Sequence, residues 1–266
     1  MNLLGWLRAR LSQDAGTFDL ERVARVVLEA AFADLNLKNF DGAREQLLRA
    51  FERRDEINDP TTIEYMLTYI GASWRDQGRY QEGIEFLSAY IATHPGEGTA
   101  YSQRGGLLWY SGNAPGAISD FSRALEILPS DTFALLGRGH CFVECERYRE
   151  AFYDFDLAQK YGSQDSRLNR EGQTRSMAYI LNGRAAALAG LGDFEESMKQ
   201  FESSIGLSPD NSWVYYNRAR AYTVRGEFEK AISDYRLALS KHDPALTYAK
   251  KDHAEAQLET LLAKLR

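Results

Sequence analysis

His140, Cys141 and Cys145 bring an imidazole and two thiols onto one short stretch, with the thiols spaced i, i+4. On a helix that spacing puts both sulfurs on one face, near enough to share a ligand or an oxidant. A closed zinc site wants four ligands, and the chain has only two cysteines and four histidines in all. Small core cysteines are the reading, with no metal and no cofactor. Glu195 and Glu196, and likewise Glu227 and Glu229, resemble the paired carboxylates of acid–base catalysis. Neither pair has a nucleophile or a histidine in reach along the chain, and both stand where helices begin. Gly137-Arg138-Gly139 opens like a phosphate loop, yet it lies inside a helical pattern and Phe142 stands where the third glycine belongs. None of these groups amounts to a catalytic constellation, so a non-enzymatic protein is expected.

What must position side chains in this chain is a repeat. Ser212 to Pro244 carries apolar and small residues at helical spacing in two runs, parted by Arg225-Gly226-Glu227. Gly226 can take the positive φ of a tight helix–helix turn, and Pro244 ends the unit. Aligned on the small residue of the second run, the chain gives Ala43, Gly83, Ala117, Ala151, Ser197 and Ala231. Successive spacings are 40, 34, 34, 46 and 34 residues. Two further columns keep this register. Ala31, Gly71, Gly105, Gly139, Ala185 and Ala219 are small, whereas Leu47, Leu87, Phe121, Phe155, Phe201 and Tyr235 are large. A small side chain facing a large one lets helices approach closely with the space between them filled. The turn column reads Gly78, Gly112, Gly192 and Gly226, with Lys38 and Glu146 as departures.

These columns and their period resemble the tetratricopeptide repeat (TPR), a helix–turn–helix unit of about 34 residues. The resemblance covers about nine-tenths of the chain. It implies an all-α superhelical solenoid of six repeats, at 24–57, 64–97, 98–131, 132–165, 178–211 and 212–245. Residues 246–266 read as one amphipathic capping helix, with Ala254, Leu258, Leu261, Leu262 and Leu265 as its apolar stripe and Lys250 and Lys251 largely off it. Residues 1–23 form an amphipathic segment whose Leu3, Leu4, Trp6, Leu7 and Leu11 either pack on the first repeat or dock on a partner or membrane surface. The insertion at 166–177 holds Arg167, Arg170 and Arg175. It is either a solvated loop, a lengthening of the next helix, or a basic lip to the groove.

The resemblance also implies a role, which is to bind a peptide or protein segment in the groove lined by the first helices. Carrying over the family's contact positions gives Tyr65, Tyr69 and Arg75, then Gln103, Trp109 and Tyr110. The later repeats add Phe133, His140, Tyr179, Asn182, Tyr216, Asn217 and Arg220. Trp and Tyr at such positions offer large contact areas with few rotatable bonds. The lysine–asparagine–arginine clamp of family members that hold chaperone C-termini has no counterpart here.

An arginine column runs through Arg104, Arg138, Arg184 and Arg218, with Asp120, Asp154, Gln200 and Asp234 sixteen residues on. The first two repeats have neither charge, showing Ala30 with Gln46 and Ile70 with Phe86. This predicts ion pairs within repeats, Arg104 with Asp120, Arg138 with Asp154 and Arg218 with Asp234, against the rival that these arginines hold an anionic ligand.

A net charge of −6 and a pI near 5.4 argue against a nucleic-acid protein, whose footprint is a basic face. The alternative, a binder of nucleic acid or another anion, would use Arg25, Arg75, Arg220 and the basic insertion. No run of about 18 apolar residues is present, which leaves residues 1–11 as the only membrane-contact candidate and the cytoplasm as the expected compartment.

Overall fold

Five helical hairpins close on the same turn, and its backbone chemistry sets the architecture. In a computed structural model of the chain, which describes residues 60–162, 170–241 and 248–264, the turn residues Gly78, Gly112, Gly192 and Gly226 have φ between 69° and 89°. Each donates its N–H three residues back, and the next residue donates five residues back. Examples are Gly112 to the Trp109 carbonyl (3.0 Å) and Asn113 to that of Leu108 (2.8 Å). The departure at this column, Glu146, is forced into the same left-handed conformation (φ 59°) and makes the same pair of bonds through Glu146 and Arg147. Lys38 lies outside the described residues.

Eleven helices are described, and no strand occurs among the described residues. The hairpins are α1 (Pro60–Asp76) with α2 (Tyr80–Thr93), α3 (Gly98–Tyr110) with α4 (Ala114–Ile127), and α5 (Thr132–Glu144) with α6 (Tyr148–Gly162). They continue as α7 (Arg170–Leu191) with α8 (Phe194–Leu207) and α9 (Ser212–Arg225) with α10 (Phe228–Ser240); α11 (Tyr248–Lys264) follows. Four helix starts are capped by short polar side chains. Asn113, Asp131, Asp193 and Asn211 each accept from a backbone N–H of the first turn. The expected repeat at 24–57 and the segment 1–23 lie outside the described residues. Of the insertion, residues 170–177 belong to α7, which is 22 residues long.

The chain divides into two units, the first ending at Leu107 and the second running from Leu108 to Arg266. In the first, Met66, Leu67, Ile70, Trp74, Leu87 and Leu107 form the core. A Cβ on Gly83 would meet Leu107 Cδ1 at 2.5 Å and Trp74 at 3.0 Å, so glycine lets these side chains pack closely here. In the second unit, Phe121 lies against Gly137, where a Cβ would be 2.3 Å from its ring. Phe155 lies in the same way against Gly183 and Gly139, at 2.3 and 2.9 Å. The large column of one repeat thus fills the space left by glycine in its own and the next repeat. Helix α11 packs Ala254, Leu258, Leu261 and Leu262 on the core built around Trp213, Tyr216 and Tyr235.

Candidate functional site

The first helices of the second unit converge on a cluster of rings. Trp109 on α3 stacks on His140 of α5 (centroids 5.8 Å apart, planes 6° apart). Trp213 of α9 approaches both, at 5.3 Å from Trp109 and 4.1 Å from His140. Tyr179 of α7 and Phe155 of α6 complete the walls, at 6.2 Å from Trp213 and 4.8 Å from His140. Four successive repeats therefore contribute to one aromatic chamber.

Helix α11 enters that chamber from outside the repeats. Lys250 Nζ lies 4.4 Å from the Trp109 ring centre and 5.0 Å from that of Trp213. It is also 2.8 Å from Glu144 Oε1, the oxygen that accepts the Trp109 indole N–H at 3.0 Å. One helical turn on, His253 Nδ1 meets the Tyr216 hydroxyl at 3.2 Å. The sequence pattern placed Lys250 largely off the apolar stripe; its side chain is only 13% exposed. The physical reason is amphipathic. Its stem covers ring surface while its ammonium finds a carboxylate and two π-faces.

Burial sets the electrostatics here. His140 is held well below the usual histidine range, first by burial and then by the Lys250 charge, so its imidazole is neutral. Its Nε2 is buried without a hydrogen-bond partner. Burial pushes the Tyr216 hydroxyl up to about 12. Burial also raises the Cys141 thiol far above its ordinary value, the opposite of what a reactive cysteine needs; Cys145 is exposed. Among the described residues no group of three or more His, Cys, Asp or Glu is placed to hold a metal ion.

Several positions expected to face an open groove are interior. His140, Asn182, Tyr216 and Asn217 are each no more than 5% exposed, and Gln103 is 8%. Asn217 Nδ2 donates to Asn182 Oδ1 at 3.1 Å between α9 and α7, while Asn182 Nδ2 is buried without a hydrogen-bond partner. Gln103 lies against Gly71, where a Cβ would meet its Oε1 at 2.5 Å. Close approach of successive first helices, which the glycines permit, closes over these side chains. Trp109, Tyr110, Tyr179, Arg220 and, in the first unit, Tyr69 stay partly exposed. Arg75 is tied to its neighbour Asp76 at 2.8 Å, and Phe133 is 38% exposed with its ring edge on Phe121. Tyr65 belongs to α1, but its side chain lies outside the described residues.

The arginine column does more than span one repeat. Arg138 donates to both carboxylate oxygens of Asp154, at 2.7 and 2.8 Å, and also to Ser122 Oγ of the preceding repeat at 3.1 Å. Burial raises the Asp154 carboxyl from its ordinary range against the pull of Arg138. Arg218 grips Asp234 at 2.6 and 2.9 Å. Arg104, in the first unit, donates to Ser88 at 3.0 Å, again sixteen residues back. Arg184 departs from the expected pairing with Gln200. It turns to Asp156 (2.8 Å) and Gln159 (2.6 Å) on the preceding second helix.

Sequence reasoning passed over Lys250 and His253 because they stand outside the periodic columns. Their only signal was a cation and an imidazole three residues apart on one helix.

Known proteins share this repeat architecture. The family described as "Tetratricopeptide repeat" matches residues 182–246. The TPR repeat-containing protein MJ1428 of Methanocaldococcus jannaschii is 22% identical over 216 residues, 79% of this chain and 36% of that protein. Human tetratricopeptide repeat protein 6 is 27% identical over 190 residues, 64% of this chain and 35% of that protein. The chain thus spans about a third of the length of these curated relatives. A crystal structure of a tetratricopeptide repeat protein from Parabacteroides merdae ATCC 43184 has the same fold, with a TM-score of 0.53 at 21% identity. The match covers 91% of this chain and 99% of that one.

Proposed function

Given that the chain is a tetratricopeptide-repeat protein, we propose that it is a non-enzymatic scaffold that grips a segment of another protein. Proteins of this family generally mediate protein–protein interactions, and the first-helix face of repeats three to six is where we place the grip. The observation that carries this reading is the partly exposed aromatic side chains of Trp109, Tyr110 and Tyr179. Trp109 is ordered by ring contacts from two other repeats and by its bond to Glu144. Rigid aromatic side chains already fixed before binding lose little entropy when a partner covers them. The cytoplasm is the proposed compartment, in keeping with two free thiols and no disulfide framework.

The test is affinity capture with wild type against Tyr110→Ala/Tyr179→Ala, both checked for an unchanged melting curve. A defined protein retained by wild type and lost by the double variant supports the assignment. Equal retention by both, or none by wild type, refutes it.

A further inference from the structure

The Lys250 socket has the chemistry of a recognition site. We propose that Trp109, Trp213, Glu144 and His140 form a receptor for a lysine side chain of the partner protein, with Lys250 of α11 as its resident occupant. This deepens the proposed scaffold reading and rests on it.

Three observations point the same way. First, two indole faces from repeats three and six lie 4.4 and 5.0 Å from one ammonium, inside the roughly 6 Å reach of a cation–π contact. Second, Glu144 supplies the counter-charge, and the Trp109 indole N–H holds the accepting oxygen in place. Third, His140 is neutral and so does not repel a cation, while its buried Nε2 has no hydrogen-bond partner. Lys250 leaves that polar atom unmet.

The occupant is also placed to leave. Lys250 is two residues from the start of α11, whereas Leu258, Leu261 and Leu262 carry much of the helix's apolar contact. From Lys250 to Leu258 is about 12 Å along a helix. The first turn can therefore lift while the stripe from Ala254 onward stays docked. A chain of net charge −6 favours a basic segment as the replacement.

The probe is N-acetyl-lysine amide, with N-acetyl-norleucine amide as its uncharged counterpart. Both are titrated into the full chain while the indole N–H resonances of Trp109 and Trp213 are followed. Lys250→Ala vacates the socket, and Lys250→Met, which keeps the aliphatic stem without the ammonium, serves where the alanine variant does not fold. The expected result is a saturable shift of both resonances with the lysine probe, about tenfold tighter in the Lys250 variant than in wild type. That shift should be lost with the norleucine probe and on adding Glu144→Gln. Absence of a saturable shift in a folded Lys250 variant overturns the proposal. Equal binding by wild type, or equal response to the norleucine probe, overturns it too. Capture of a partner by the Tyr110 and Tyr179 face alongside a silent titration refutes the socket alone. A positive titration with no captured partner refutes the scaffold reading while the socket's chemistry stands.

Discussion

Asp154→Ala tests whether the arginine column carries stability or merely decorates the surface. The Asp154 side chain is 1% exposed and that of Arg138 is 20%. Removing the carboxylate takes away two charge-assisted bonds and leaves the guanidinium with Ser122 and the face of Phe142, 5.7 Å away. Breaking a buried pair by deleting one partner costs about 3–5 kcal/mol, and the partial exposure of Arg138 places this case near about 3 kcal/mol. For a protein of this size that lowers the melting temperature by about 6–12 °C. Glu126→Ala is the control. Arg123 and Glu126 also lie 2.7 Å apart, but their side chains are 48% and 64% exposed. Such a pair is worth about 0–1 kcal/mol, because water already solvates both charges. Replacing both buried partners, as Arg138→Met/Asp154→Leu, should recover most of the loss, since no uncompensated charge remains. Calorimetry and circular dichroism melts of the four proteins decide it. If Asp154→Ala melts within about 2 °C of Glu126→Ala, burial is not what gives this pair its weight.

Among the described hairpins only the turn at Glu146 lacks glycine, so Glu146→Gly should raise the urea midpoint. Relief of left-handed strain, less the entropy of glycine, gives a gain of about 0.5–1 kcal/mol, and a lowered midpoint would refute the strain argument. His140 predicts an acid-sensitive fold. With its native pKa below the ordinary 6.5, the unfolded chain takes up the proton first. The stabilising contribution is therefore complete above about pH 6.5 and is lost as pH falls towards the native value, by up to about 1.4 kcal/mol per pH unit. Urea titrations between about pH 7.5 and 5.5 should show a steeper loss for wild type than for His140→Gln, and parallel slopes would refute it.

What could be read from the sequence was whatever recurs. The match of Phe121 to Gly137 and of Phe155 to Gly183 involves neighbouring repeats in the same register. Each pair therefore leaves its mark, repeat after repeat, as a large column and a small one. The positive-φ turn column recurs for the same reason, and even its exception proved geometric: Glu146 keeps the conformation without the residue that favours it. Inner-face burial does not recur. Whether Asn182 and Asn217 meet a guest or each other depends on how closely successive first helices approach, and no single repeat records that distance.

The arginines mark the boundary between the two kinds of information. Spacing within a repeat named Asp154 and Asp234 as partners, but it hid the second grip, from Arg138 back to Ser122 and from Arg184 back to Asp156. Arg184 shows which grip prevails when they compete. With only an amide in its own repeat, it turns back to Asp156 and Gln159, and Arg184 Nε and Gln200 Oε1 are left buried without partners. A guanidinium has five donors in a planar fork, more than one carboxylate can absorb. The surplus reaches the preceding second helix and joins one repeat to the next by hydrogen bonds as well as by packing. Lys250 acts in the same way at the end of the array. It is a cation from outside the period that spans three repeats at once, and the recurrence of columns gives no warning of it.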